Sequence, residues 1–297
     1  MNKGLLIGLI VAGSVLTLAT TGFITFCVIN NNVNNKTVTR EYEVSDFSNL
    51  NINLSTADLE LKVAENDKAK VVCVEKEKYY HNVEVKDNSL NISKVDARKW
   101  YEYPFNFSWS NMKVTVYVPS KDFNDALIKI STGDVIIPDY YSFNNLSVES
   151  STGDLSIKSE VKNELDLKAS TGNISLEADA KKAHLYTSTG RQTLKDVDAE
   201  EISCHVSTGH VTLTNCIAEK TIYVKASTGD VRFSDSDANE LIDIETSTGD
   251  VDLSLLSGKT FETKTSTGKV NVPSSTVGGA LCKIKTSTGD IKVVIKE

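Results

Sequence analysis

The chain has 297 residues, of which 40% are hydrophobic and 24% charged, a composition that excludes wholesale disorder. Its 32 basic and 40 acidic residues give a net charge of −8 with no concentrated basic patch, so no nucleic-acid partner is expected. Five cysteines with no CxxC pair argue against both a disulfide scaffold and a structural zinc site, and no cofactor is expected.

The first feature along the chain is an uncharged run of 25 residues, Leu5 to Ile29, preceded by Lys3 and followed by the polar tract Asn30 to Lys36. As a helix rising about 1.5 Å per residue, it would cross a hydrocarbon layer of about 30 Å. A cleaved secretory signal would have an apolar core of about 7–15 residues before a small-x-small site. This run is longer and passes straight into asparagines, and bulky Phe26 stands where a lipidated Cys27 would need a small neighbour. The expectation is an uncleaved anchor over residues 1–30, inserted through residues 5–29, then a polar linker, 31–46, and a folded domain, 47–297. That describes a single-pass protein of the cell membrane with its C-terminal domain outside.

Within the domain, Ser-Thr-Gly recurs nine times, at intervals of 18 to 21 residues, starting at Ser131, Ser151, Ser170, Ser188, Ser207, Ser227, Ser247, Ser266 and Ser287. Five and three residues before each serine, and four and six after it, the positions are almost wholly apolar; Gln192 is the exception in its column. Alternation on both sides of the tripeptide predicts two short strands per unit, each with one face inward. A single unit cannot bury that face, so units must stack about 4.8 Å apart. The fold class expected is all-β: a parallel β-solenoid of about ten coils, roughly 45 Å long.

Ser131-Thr132-Gly133-Asp134 is then the corner between strands, and the glycines Gly133, Gly153, Gly172, Gly190, Gly209, Gly229, Gly249, Gly268 and Gly289 supply the backbone freedom of a sharp bend. A degenerate coil stands upstream at Ser55-Thr56-Ala57-Asp58, with Leu50, Ile52, Leu59 and Leu61 at the same offsets. Residues 62–130 hold alternating runs without the tripeptide and read as an atypical, strand-rich capping region before the regular repeats of 131–297.

That region contains the segment Trp100 to Trp109, with Trp100, Tyr101, Tyr103, Phe105, Phe107 and Trp109 bringing six of the chain's 21 aromatic residues into ten positions. Two readings stand: a cap over the end of the solenoid, or a binding platform for sugar rings, peptide or a membrane surface.

The anchor, the degenerate coil, Val118-Pro119 and a ladder reading Ser-Thr-Gly-Asp-Val-Arg-Phe at Ser227 to Phe233 resemble the bacterial β-repeat proteins known as putative adhesins. The resemblance spans about residues 45–297. It implies a surface β-repeat fold, an adhesin-like or envelope interaction role and an association with envelope-stress responses, and it brings no catalytic residues.

Other chemistries have weaker signals. The residue after each repeat glycine is Asp134, Asp154, Asn173, Arg191, His210, Asp230, Asp250, Lys269 and Asp290, and the interruptions argue for turn chemistry over a calcium ladder. Cys204 and Cys282 fall in inward columns as small hydrophobes, and His205 points away from Cys204, so no metal site is expected. Solenoids also host polysaccharide-acting enzymes, but no long loop here outgrows the repeat to build a cleft. The expected partners are a cell-wall component, an envelope protein or a host surface. A self-assembling structural solenoid is an alternative, since Ile291 to Glu297 shows no evident cap beyond Lys292 and Lys296.

Overall fold

The computed structural model describes residues 24–27, 37–66, 68–99 and 112–296. The described residues form β1 (Ile24–Cys27), β2 (Thr37–Glu43), β3 (Asn49–Thr56), β4 (Asp58–Val63), β5 (Lys70–Lys76), β6 (Tyr79–Lys86), β7 (Ser89–Asp96) and β8 (Lys113–Val118) ahead of the first tripeptide. Then β9 (Asp122–Thr132) bends into β10 (Val135–Ile137), β11 (Ser142–Thr152) into β12 (Leu155–Ile157), β13 (Glu160–Thr171) into β14 (Ile174–Leu176), and β15 (Ala180–Thr189) into β16 (Gln192–Thr208). β17 (Val211–Thr228), β18 (Val231–Ser234), β19 (Asp237–Ala238), β20 (Leu241–Thr248), β21 (Val251–Leu255), β22 (Lys259–Lys264), β23 (Val270–Asn271), β24 (Ala280–Thr288) and β25 (Ile291–Ile295) complete the chain.

Equivalent strands pair in parallel from one coil to the next, with Leu146 beside Leu165, Leu165 beside Ala183 and Ala183 beside Ile202. The protein is an all-β solenoid. Its four inward columns are buried in every coil from that of Ile128 onward except the Ser266 coil, and Gln192 is buried with them, its side-chain amide donating to Thr187 Oγ1 at 3.1 Å and the His205 carbonyl at 2.9 Å. Two further inward columns escape a reading of apolar residues alone. The residue just before the corner serine also points in, as Ile130, Ser150, Thr187 and Thr246 do. Eight residues before the serine, Phe47, Phe123 and Phe143 stack with ring centroids 6.0 and 5.1 Å apart.

The corner explains why glycine recurs. The nine tripeptide glycines have φ between +141° and +152°, and a Cβ on any of them would lie 1.8–2.1 Å from the backbone carbonyl oxygen of the corner residue on the adjacent coil. Only glycine meets both demands. Eight of the nine glycine amides donate to the threonine carbonyl of an adjacent coil, as Gly133 does to Thr152 at 2.9 Å. The following residue adds a side-chain rung: Asp134 Oδ1 accepts from the Asp154 amide at 2.8 Å, and Asp154 Oδ1 from the Asn173 amide at 2.7 Å. Aspartate therefore bonds across coils, not within its own turn. Histidine substitutes at one rung, His210 Nδ1 accepting from the Asp230 amide at 3.1 Å.

Both ends depart from simple succession. At the N-terminal end, β3 lies between β9 and β7, and β4 between β10 and β8. From there the two walls turn antiparallel, one continuing through β7 to β6 and the other through β8, β5, β2 and β1. The β1 pairing corrects one sequence expectation: Ile24–Cys27, the end of the run expected to cross a membrane as a helix, is a strand on the free edge of β2. The rest of that run lies outside the described residues, and no described helix is long and apolar enough to cross a membrane.

At the other end, β20 and β21 pair with β24 and β25, which in turn pair with β22 and β23. The Ser287 coil is thus inserted between the Ser247 and Ser266 coils. β25 is paired along its length with β21 and, at Ile291 and Lys292, with β23, so Lys292 does not stand on an open edge. The outermost coil is that of Ser266, which accounts for Thr263 in an apolar column and for Val270 being 46% exposed. Its edge is partly closed by its own loop: Thr276 donates to the Lys259 carbonyl at 2.8 Å, and Ser275 Oγ accepts from the Phe261 amide at 3.0 Å. Lys259 is buried, its Nζ held by Asp237 Oδ1 at 2.5 Å, the Ala238 carbonyl at 2.8 Å and Ser257 Oγ at 2.8 Å.

Candidate functional site

The broad wall of the solenoid is a regular polar surface. Its outward residues two before each corner serine pair across coils, Lys129 with Glu149 at 3.6 Å and Glu245 with Lys285 at 2.7 Å. Midway along, rings replace the charges. Tyr186 stands beside His205 in the β15–β16 register, and Ser203 beside Tyr223 in the next. The His205 and Tyr223 rings lie 5.3 Å apart at 47°, and Tyr186 is 46% exposed. Burial, together with the charges of Lys225 and His184, lowers the His205 pKa, so its ring presents a polarisable, uncharged face at neutral pH. An exposed aromatic surface among hydrogen-bonding side chains can pack on a sugar ring or an extended peptide. Tabulating outward columns as carefully as inward ones would have found it, because Tyr186, His205 and Tyr223 stand far apart in sequence.

An open groove of about 440 Å³ runs where strands bulge between coils, lined by Glu160, Lys162, Asp179, Lys181, Asp198 and Glu200 among others. Of the carboxylates lining it, Glu200 is ion-paired, with Lys220 at 2.6 Å. The hydrogen bond from Lys220 holds the Glu200 carboxyl below the usual range, whereas a glycosidase general acid needs the opposite shift.

A third cluster sits inside the N-terminal cap. Cys73 and Glu75 alternate on the inward face of β5, Arg40 comes from β2 opposite Cys73, and His81 from β6. Arg40 pairs with Glu75 Oε1, while Glu75 Oε2 accepts from the His81 amide and meets its Nδ1, each at 2.8 Å. Tyr42 donates to the His81 carbonyl at 3.2 Å. Burial and the Glu75 charge push the Cys73 thiol and the Tyr42 phenol up. The sequence left His81 without a partner, yet the alternation of Val71, Cys73 and Glu75 already placed Glu75 inward.

The aromatic residues Trp100, Tyr101, Tyr103, Phe105, Phe107 and Trp109 lie outside the described residues; the strands on either side, β7 and β8, belong to the first rung. The corner Ser131 and Thr132 are exposed, like their counterparts, while Gly133 and Asp134 form the ladder. Cys204, Cys216 and Cys282 are buried free thiols, and burial pushes Cys216 up to about 11 and Cys282 to about 12.

A family model described as Toastrack DUF4097 matches residues 47–234 and again 160–297. The chain belongs to the Toastrack DUF4097 family. Solved structures similar to this Toastrack chain include a putative lipid binding protein from Parabacteroides distasonis, at 17% identity and a TM-score of 0.50, covering 86% of this chain and 96% of that one. A putative adhesin from Bacteroides fragilis has 18% identity and a TM-score of 0.46, with 87% and 97% of the two chains covered. One from Parabacteroides merdae has 14% identity and a TM-score of 0.43, with 88% and 97% covered. Comparison with curated proteins gave no match. The β-repeat family expected from the Ser-Thr-Gly ladder is met by this family match.

Proposed function

We propose that this Toastrack protein is a non-catalytic, membrane-anchored surface protein whose solenoid wall binds a cell-wall component, an envelope protein or a host surface. The observation that carries the reading is the ring patch of Tyr186, His205 and Tyr223 on a wall otherwise closed by ion pairs. The segment Trp100 to Trp109 is the second candidate surface. Apart from Ile24–Cys27, which form a strand, the run expected to anchor the chain lies outside the described residues. The domain then stands outside the membrane. A polysaccharide-acting enzyme is disfavoured because the Glu200 carboxyl in the groove is ion-paired and held low. End-to-end assembly would have to use β22 and β23, where Ser275 and Thr276 already occupy part of the edge.

The test is binding of the full chain, reconstituted in lipid vesicles, to isolated cell walls and intact cell surfaces. Saturable binding is expected, with a loss of about 5- to 150-fold in Tyr186→Ala/Tyr223→Ala, since two stacking rings at about 0.5–1.5 kcal/mol each are removed. Loss in Trp100→Ala/Trp109→Ala alone would move the site to the cap segment. No saturable binding by the wild-type chain would overturn the reading.

A further inference from the structure

The polar cluster in the N-terminal cap has a composition that ordinary core packing does not call for. Cys73, Glu75 and His81 are all but fully buried, and one ligand atom from each lies within 4.8 Å of the others. The cluster would be a closed ion-pair network if every polar atom were used. One is not: His81 Nε2 is buried and has no hydrogen-bond partner among the described residues. Leaving such a nitrogen unmet costs about 1–3 kcal/mol, and buried polar groups without partners are uncommon in native structures.

The other half of the ring is fixed. Glu75 Oε2 meets Nδ1 at 2.8 Å and the His81 amide at 2.8 Å, while Arg40 holds Oε1 of the same carboxylate. A carboxylate on one imidazole nitrogen with the other left free is the arrangement that orients a histidine toward a metal and raises its basicity. The remaining donor is a thiol.

The ligand set and the charge together select the ion. A hard cation would ask for six or more oxygen ligands, and the cluster offers a single carboxylate already engaged twice. A thiolate with an imidazole suits soft or borderline ions, Cu(I) and Zn(II) above all. Arg40 and Glu75 cancel. A monovalent ion exchanged for the Cys73 proton leaves the pocket neutral, whereas a divalent one leaves a net positive charge beside the Arg40 guanidinium, away from water. We propose that Cys73 and His81 bind a soft monovalent cation of the Cu(I) class, with Glu75 as the positioning residue and Arg40 balancing its charge. On binding, the S–H bond breaks, sulfur and Nε2 each bond the cation, the proton leaves to solvent, and no oxidation state changes.

The experiment uses the full chain in detergent, reduced and without oxygen, titrated with Cu(I) alone against a chromophoric Cu(I) chelator. One equivalent is expected to be held by the wild type and by Cys204→Ala. Retention should fall at least ~10-fold in His81→Gln and be lost in Cys73→Ser, with Zn(II) not held at the same concentration. Failure of the wild type to hold copper, or equal retention by Cys73→Ser, would overturn the proposal. Should either variant fail to fold, X-ray absorption on the copper-loaded wild type reads the ligands directly. One sulfur with an imidazole nitrogen supports the site, and a two-sulfur shell places the ion on another cysteine pair and refutes it.

Discussion

Replacing Gly209 by alanine tests the corner most directly. Gly209 has φ +146°, and an added Cβ would lie 1.8 Å from the Gly190 carbonyl oxygen. Relief cannot come from a flexible side chain, because the clashing atom is backbone. The two coils must move apart, which loosens Gly190 N–H to Thr208 at 3.0 Å and Gln192 N–H to His210 at 2.9 Å. Backbone strain of about 1–3 kcal/mol and two weakened hydrogen bonds at about 0.5–1.5 kcal/mol each give a destabilisation of roughly 2–6 kcal/mol. Urea unfolding of the full chain, followed by far-ultraviolet circular dichroism, measures it. Ser207→Ala at the same corner changes only an exposed hydroxyl and should stay within about 0.5 kcal/mol of wild type. A Gly209→Ala protein within about 1 kcal/mol of wild type would refute the close-approach account of the repeat.

The acceptor ladder makes a prediction of opposite sign. Arg191 cannot accept, so the His210 amide lacks the rung that its neighbours have; Arg191→Asp should stabilise by about 0.5–1 kcal/mol in the same urea assay, whereas Lys269→Ala, on the outermost coil, should change little. Lys259→Met leaves the Asp237 carboxylate buried without its cation and should cost about 3–5 kcal/mol, with Asp237→Asn/Lys259→Met recovering part of that loss. The wall pairs set the pH response. Glu200 and Glu245 are held below their usual value of 4.5 by hydrogen bonds from Lys220 and Lys285, and those lysines are held above 10.5 by the same bonds. The carboxylate contribution is therefore complete above pH 4.5 and is lost as pH falls through the depressed values, while the lysine contribution is complete below pH 10.5 and is lost as pH rises through the raised ones. Melting temperature against pH should show Glu200→Gln/Glu245→Gln flattening the acid limb; an unchanged limb would remove these pairs from the account.

The core was legible because a solenoid repeats its own constraints. Ile128, Val148 and Leu167 occupy one column for one reason, and nine repetitions made that reason visible. The inward column before the corner was hidden by its residues, since Ser150, Thr187 and Thr246 look like surface. The order of the last coils was hidden for a different reason: equivalent coils satisfy the same pattern in any order, so periodicity carries no information about which neighbour each one chooses. Thr263 in an apolar column was the trace left in the sequence. The cap cluster was half legible, Glu75 through alternation along β5, and His81 only through the hairpin that folds β6 back over it.

The inserted Ser287 coil has a consequence for synthesis. Residues 259–271 leave the ribosome before residues 280–295, yet in the finished fold the later segment separates the earlier one from β20 and β21. Simple layering from one end cannot produce that order. Either the Ser266 coil waits undocked, or it first occupies the place of its successor and is then displaced, breaking one set of parallel hydrogen bonds to make another. Removal of β24 and β25 would leave that earlier register available to β22 and β23, a second way to close the same ladder.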